Sequence, residues 1–191
     1  MLAVLIVAVL GSIVGAREFG TGMIRTTLSA VPKRVPVLWS KLATFTAVVL
    51  PIVAVGVVAA FFLGMSLLAG SGSATLSWTD DSVARSVVGT ALYITGLGII
   101  GLALGVLLRS TAAAIGVGVG VVLFLPALAS ALLPSSWDSV LKFLPSNAGA
   151  AFTSLGNSDA MLSPGVGAAV FAGWVALAIA GAAFALVRRD A

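Results

Sequence analysis

Long apolar stretches separated by short polar segments make up this chain. A helix needs roughly 20 apolar residues to cross the hydrocarbon core of a bilayer, and four stretches reach that length. The opening run is shorter, but no basic residue precedes it and Arg17 and Glu18 follow it directly, so we interpret it as a retained span and not as a signal peptide. The pattern predicts one all-α, polytopic transmembrane helix bundle over residues 1–191, with spans at about 2–16, 42–69, 86–108, 111–133 and 166–187.

Composition agrees with this prediction and excludes several functions. Hydrophobic residues form 60% of the chain and charged residues 8%, too few for the surface of a water-soluble fold. Cys and His are both absent, which removes thiolate nucleophiles, imidazole bases and the commonest transition-metal ligands. We therefore expect no catalytic residues, no metal site and no cofactor bound by this chain. The net charge of +4 comes from basic residues at the ends of spans, so we expect no nucleic-acid partner.

The distribution of basic residues predicts an orientation. Arg85 and Lys142 fall on one side of the threaded spans, and the remaining basic residues that flank spans fall on the other, which is predicted to be cytoplasmic together with the carboxyl end. Five spans then place the amino end outside, although nothing at Met1 would drive it across. We expect a sixth span before Met1. The residues on the cytoplasmic side are Arg17, Arg25, Lys33, Arg34, Lys41, Arg109, Arg188 and Arg189.

Small and mildly polar residues within the spans each allow two interpretations. Three pairs have the G-x-x-x-G spacing of close helix contacts, but glycine is also simply common in membrane helices. Pro51 is expected to kink the second span. Hydroxyl groups inside spans could line an amphipathic route or could bond to their own backbone. The glycine pairs are Gly11 and Gly15, Gly101 and Gly105, and Gly116 and Gly120; the polar residues are Thr44, Thr46, Ser66, Thr90, Tyr93, Thr95 and Ser130.

The segment 17–41 is the most polar part of the predicted cytoplasmic side. Thr21 is a suitable helix N-cap, Ile24 and Leu28 recur at helical spacing, and Pro32 ends the pattern. The opposite face carries Arg25. This predicts a short amphipathic helix that either docks on a soluble partner or only anchors the loop at the membrane surface.

Glu18 with Gly20-Thr21, followed by Leu28, Pro32, Arg34 and Lys41 before a long span, resembles the cytoplasmic loop of type-2 ATP-binding-cassette (ABC) transporter permeases. The run 144–149, Leu-Pro-Ser-Asn-Ala-Gly, and the ending Arg188-Arg189-Asp190 resemble bacterial, particularly actinobacterial, members. The resemblance implies six spans and a coupling helix that docks on a separate ATPase subunit. It assigns ATPase coupling to Glu18, Gly20, Thr21, Ile24, Arg25 and Leu28.

The predicted outer loop 134–165 contains Trp137, Val140, Leu141 and Leu144 at helical spacing, which indicates an interfacial helix. Similar permeases carry short outer helices between their last two spans. By that resemblance the helix is a lid over the exit, and by the residues alone it can equally be a connection resting on the headgroups.

The chain contains no internal source of energy for transport. The predicted spans lack charged residues in their interiors, unlike the spans of ion-coupled carriers, and no G-x-x-x-x-G-K-[S/T] loop is present to bind ATP. By the resemblance, and because the chain has no energy source of its own, the expected function is a permease subunit of an ABC exporter in the bacterial cell membrane, not an enzyme, moving an amphipathic or hydrophobic substrate. Its expected partners are an ATPase subunit that binds ATP, a second permease subunit and membrane lipid. The alternative is a membrane scaffold or anchor that recruits a cytoplasmic partner without transport.

Overall fold

The computed structural model describes residues 2–20, 34–70, 76–78, 80–132, 134–156 and 161–188. These residues are almost entirely helical and contain no strand. Five helical stretches among them are long and apolar enough to cross a membrane, which confirms the all-α, multi-pass fold. The helices are α1 (Leu2–Gly20), α2 (Arg34–Gly70), α3 (Asp81–Leu108), α4 (Thr111–Val119), α5 (Leu125–Leu132), α6 (Asp138–Leu141), α7 (Pro145–Thr153) and α8 (Pro164–Arg188).

Helix α3 is the centre of the bundle, and α1 packs against it through glycines. A Cβ atom added to Gly11 would lie 2.0 Å from the Gly98 carbonyl oxygen, and one added to Gly15 would lie 2.1 Å from that of Leu102. From the other side, a Cβ at Gly101 would lie 2.3 Å from the Ala8 carbonyl oxygen. These backbones therefore approach more closely than any side chain would permit.

The close-contact interpretation is confirmed for two of the three glycine pairs, those in α1 and α3. It is wrong for Gly116 and Gly120, because a Cβ atom at either position would meet no atom within 4 Å. Those two glycines lie where the fourth span changes its winding: a π-helical segment, Gly120–Phe124, joins α4 to α5. Such π segments are rare and occur mostly as single turns inside α-helices.

Helix α2 has 37 residues and continues on both sides of Pro51. It is about 55 Å long, well beyond a hydrocarbon core of about 30 Å. The expectation that residues 34–41 belong to a loop is wrong, because α2 begins at Arg34, with Pro36 in the first turn, where a missing N–H costs no hydrogen bond. Its first half buries Leu38, Leu42 and other side chains in the core, whereas many later positions are exposed, such as Val55, which is 71% exposed.

One end of the bundle gathers the basic residues, and we call it the basic end. Phe19 of α1, Lys41 of α2, Val106 of α3 and Leu186 of α8 surround one small cavity there. The guanidinium of Arg109 lies 5.1 Å from the centre of the Phe19 ring, within cation–π range. Arg17 and Arg188 occupy the last turns of α1 and α8 at this end, so the predicted grouping of basic residues holds for those that the structure describes.

Arg109 also makes the sharp turn between α3 and α4. Its φ of 53° is left-handed, a conformation that costs a non-glycine residue about 1–2 kcal/mol. Two hydrogen bonds offset this cost: the Arg109 N–H donates to the Gly105 carbonyl, and the Ser110 hydroxyl accepts from the Ala113 N–H at the start of α4.

The segment 134–165 folds differently from the expected interfacial helix. A 3₁₀ turn, Ser135–Trp137, and the single turn of α6 replace one continuous helix. The helix ends at Leu141 and Leu144 is extended, with ψ of 147°, because the following Pro145 disfavours a helical residue before it. Helix α7 then inserts between α3 and α8.

Contacts along α7 show how far it inserts. A Cβ at Gly149 would lie 2.1 Å from the Tyr93 ring, and one at Gly167 would lie 2.7 Å from the Ala148 carbonyl oxygen. The Trp174 indole N–H donates to the Phe143 carbonyl at 2.9 Å, and Trp174 lies ten residues, about 15 Å, into α8. The chain thus turns at about half the depth of α8 and returns outward as α7, so α7 is a re-entrant helix.

Candidate functional site at the basic end

The predicted coupling segment begins where α1 and α2 converge at the basic end. Helix α1 continues through Glu18 and ends at Gly20. Residues 17–20 are therefore helical, whereas the sequence analysis ended the first span at residue 16. The residues between Gly20 and Arg34 link these two helix ends.

Glu18 and Lys41 form an ion pair that joins the two helices. The Lys41 Nζ lies 3.0 Å from the Glu18 Oε1, and the two side chains are 15% and 28% exposed, respectively. Dissolved salt screens a partly buried pair less than it screens a pair on the surface. Because the two residues are 23 positions apart, no helical spacing links them, and the sequence placed Lys41 on the cytoplasmic side and in the family resemblance without pairing it with Glu18.

The second oxygen of the Glu18 carboxylate lies in an unusual environment. Oε2 is buried and has no hydrogen-bond partner among the described residues. A buried acceptor without a donor costs on the order of 1–3 kcal/mol.

The structure describes two of the six residues assigned to coupling. Glu18 and Gly20 lie at the end of α1, whereas Thr21, Ile24, Arg25 and Leu28 lie outside the described residues. What the structure adds is the packing of the two helices that this segment joins. Glycine contacts hold α1 tightly against α3, whereas most side chains in the outer half of α2 are exposed.

The opposite end of the bundle holds α7 in place through groups that the sequence analysis did not assign. The rings of Tyr93, Phe152 and Phe171 form one cluster, with centroids 5.1–6.3 Å apart. The Ser86 hydroxyl donates to the Thr153 carbonyl, which satisfies one of the free carbonyls at the end of α7. The single aromatic residues Tyr93 of α3 and Phe152 of α7, each among small residues, were the available signal, but they do not specify which helices meet.

The hydroxyl groups inside the spans bond mostly to their own helices. Ser66 donates to the Leu63 carbonyl, Thr90 to that of Ser86 and Thr95 to that of Ala91. For these three residues the backbone-bonding interpretation is confirmed. None of the three is arranged as part of a polar route between helices.

Comparison with known proteins places the chain in a family. No curated protein and no solved structure matches it. Residues 1–190 match the family described as "Protein of unknown function (DUF2705)", which is nearly the whole chain. The chain therefore belongs to this family of proteins of unknown function.

Proposed function

We propose that this chain is the membrane-spanning permease subunit of an ABC exporter, powered by ATP hydrolysis on a separate ATPase subunit. The observation that carries the proposal is the arrangement at the basic end. Glu18 and Lys41 join the ends of α1 and α2 on either side of the segment 21–33. A soluble partner that grips this segment would act on both helices at once.

The packing of the two helices supports a mechanical role. Helix α1 is in backbone contact with α3, so a displacement of its end would be transmitted to the centre of the bundle. Helix α2 contributes its fully buried side chains from its first half, at Leu38, Leu42, Phe45 and Val49, and most side chains of its outer half are exposed. A push at the basic end would therefore change the angle between α2 and the rest of the helix bundle. ATP binding drives transport only if the ATP-bound partner has different affinities for these two states of the bundle.

The re-entrant helix α7 adds further support. Similar permeases have short outer helices between their last two spans, and α6 and α7 occupy that position in this chain. The aromatic cluster around Tyr93 holds α7 against α3 and α8. In the proposed exporter, α7 covers the exit of a path for an amphipathic or hydrophobic substrate, and a second permease subunit completes that path.

We also propose that the basic end faces the cytoplasm of a bacterial cell, since basic residues accumulate on the cytoplasmic side of membrane proteins. The chain has no cysteine, so single cysteines report sidedness without background. In intact cells, a membrane-impermeant thiol reagent should label Ser77→Cys, which is exposed at the opposite end, but not Ser29→Cys. Labelling of Ser29→Cys from outside would show that the basic end faces outward, and it would overturn the proposal.

The coupling role is tested by co-purification with an ATPase encoded beside this chain. Arg25→Glu combined with Leu28→Asp should reduce recovery of the ATPase and abolish ATP-dependent transport. Arg188→Glu is the matched control, because it reverses a charge at the same end but outside the coupling segment. Unchanged recovery and transport in the double variant would overturn the coupling role. Recovery of a partner with no ATP-linked transport by the wild type would favour the scaffold alternative.

A further inference from the structure

A cleft of about 510 Å³ lies between α4 and α8, in the half of the bundle nearer the basic end. Leu104 and Leu107 of α3 form its floor, Val117 stands in the α4 wall and Leu177 in the α8 wall. The cleft opens toward the membrane, since Val117 and Leu177 are 43% and 64% exposed. From this cleft we infer that the protein binds one acyl chain of a membrane lipid, which enters from the leaflet at the basic end.

The lining of the cleft suits hydrocarbon and not a polar ligand. The side chains around it, within the part of the protein that the structure describes, are all uncharged, and all but one contain only carbon and hydrogen. The exception is Trp174, whose indole N–H already donates to the Phe143 carbonyl at 2.9 Å. A polar ligand would therefore give up hydrogen bonds on entry without finding side-chain partners, which is unfavourable. An acyl chain has no polar group to leave unpaired.

The depth of the cleft matches one leaflet. On α8 its lining extends from Trp174 to Phe184, which is ten residues or about 15 Å. Half of a hydrocarbon core is also about 15 Å. Phe184 lies about one turn before Arg188, so the shallow end of the cleft is at the basic end and near the level of the headgroups. Trp174 lies at the deep end, near the centre of the bilayer.

The re-entrant helix α7 closes the deep end of the cleft. Pro145, the first residue of α7, lines the cleft together with Trp174. A transmembrane helix, whether from a second copy of this chain or from another protein, crosses both leaflets and would meet α7 halfway. An acyl chain instead ends near the centre of the bilayer. The closed end of the cleft therefore favours a lipid chain over a helix as the occupant.

Two glycines leave the space that the acyl chain would occupy. A Cβ atom added to Gly118 would lie 3.8 Å from a methyl carbon of Leu104, and one added to Gly181 would lie 3.9 Å from a methyl carbon of Leu107. A larger side chain at either position would therefore extend into the cleft without striking backbone. Beyond Gly118 the same wall continues into the π-helical segment Gly120–Phe124, and π segments are frequent at functional sites.

The inference does not depend on the proposed transport function, because binding requires only the folded chain in a bilayer. The experiment places the purified protein in phosphatidylcholine vesicles that contain phosphatidylcholine with a photoreactive diazirine at the end of one acyl chain. After irradiation, mass spectrometry of peptides locates the attached lipid. Trp174 and Val55 lie 14 residues from Arg188 and Lys41, respectively, so free chain ends should reach both depths equally. The wild type should be labelled more strongly around Trp174 than around Val55, although Val55 is 71% exposed. Equal labelling would show contact with bulk lipid only and would overturn the inference.

Two leucine variants test whether the label comes from the cleft. Gly181→Leu should fill the cleft and lose the labelling around Trp174. Gly173→Leu is the matched control on the same helix, because Gly173 does not line the cleft and a Cβ atom there would meet no atom within 4 Å. It should be labelled as the wild type is. Wild-type labelling in Gly181→Leu would overturn the inference, and the comparison of Trp174 with Val55 tests it even where Gly181→Leu does not fold.

Two further results separate an acyl chain from other occupants. Vesicles of phosphatidylglycerol, with the corresponding diazirine lipid, should give the same labelling pattern, since the described lining carries no charge. Loss of the pattern in that lipid would show that the headgroup and not the chain is recognised. Efficient disulfide dimerisation of Leu177→Cys would also overturn the inference, because a second copy of the chain would then cover the cleft.

Discussion

Replacing Gly15 with alanine tests whether glycine contacts between α1 and α3 hold the bundle together. The added Cβ would lie 2.1 Å from the Leu102 carbonyl oxygen, whereas ordinary contacts of this kind begin at 3.4 Å. The obstacle is backbone in the middle of a helix, so no side-chain rotation relieves it. Helix α1 would have to move away from α3 by about 1 Å, a separation that forfeits a quarter to a half of the dispersion energy of each contact.

The expected cost is about 1–3 kcal/mol in the free energy of unfolding, the range measured for overpacked interiors. Gly56→Ala is the matched control, because a Cβ at Gly56 meets no atom within 4 Å. That control should be neutral or more stable by up to about 1 kcal/mol, since alanine favours helix over glycine. Unfolding both variants by titration with a denaturing detergent, followed by circular dichroism, measures the difference.

The two alanine variants should therefore differ in stability by at least about 1 kcal/mol. Equal stability of Gly15→Ala and Gly56→Ala would refute the argument that the backbones of α1 and α3 are in contact. Greater stability of Gly15→Ala would refute it more strongly. A loss confined to Gly15→Ala would show that small residues, and not general hydrophobicity, hold α1 in place.

The re-entrant helix α7 provides two further predictions. Trp174→Phe removes the hydrogen bond to the Phe143 carbonyl while keeping an aromatic ring, so we expect a loss of about 1 kcal/mol and faster proteolysis between α5 and α7. Gly149→Ala places a Cβ 2.1 Å from the Tyr93 ring and should displace α7, whereas Gly156→Ala, with no atom within 4 Å, should not. A cleavage rate in Trp174→Phe equal to that of the wild type, or equal thermal stability of the two alanine variants, would contradict the insertion of α7.

Much of the helical architecture follows from the sequence because each membrane-spanning helix satisfies its backbone hydrogen bonds within itself. The number of spans, the all-α class and the grouping of basic residues at one end depend on local composition, and the described residues bear them out. Helix ends were predicted less well. The first turns of α2 and the last turn of α1 contain charged residues, so hydropathy placed the start of α2 too late and the end of α1 too early.

The candidate site was predictable only in part, because its charged partners come from different helices. Glu18 was assigned from the sequence, but its partner Lys41 is identified as such only by the convergence of α1 and α2. The cleft between α4 and α8 likewise has no sequence signature, since its lining is set by which faces turn toward each other.

The sequence by itself determined that the chain is a membrane helix bundle with one basic end, since transfer of an apolar helix into a bilayer depends on that helix alone. Only the tertiary structure decided that α3 is the centre, that two glycine pairs make contact and a third does not, and that α7 inserts between α3 and α8. Those outcomes depend on shape complementarity between helices distant in the chain. A pattern of residue types along one helix does not contain that information.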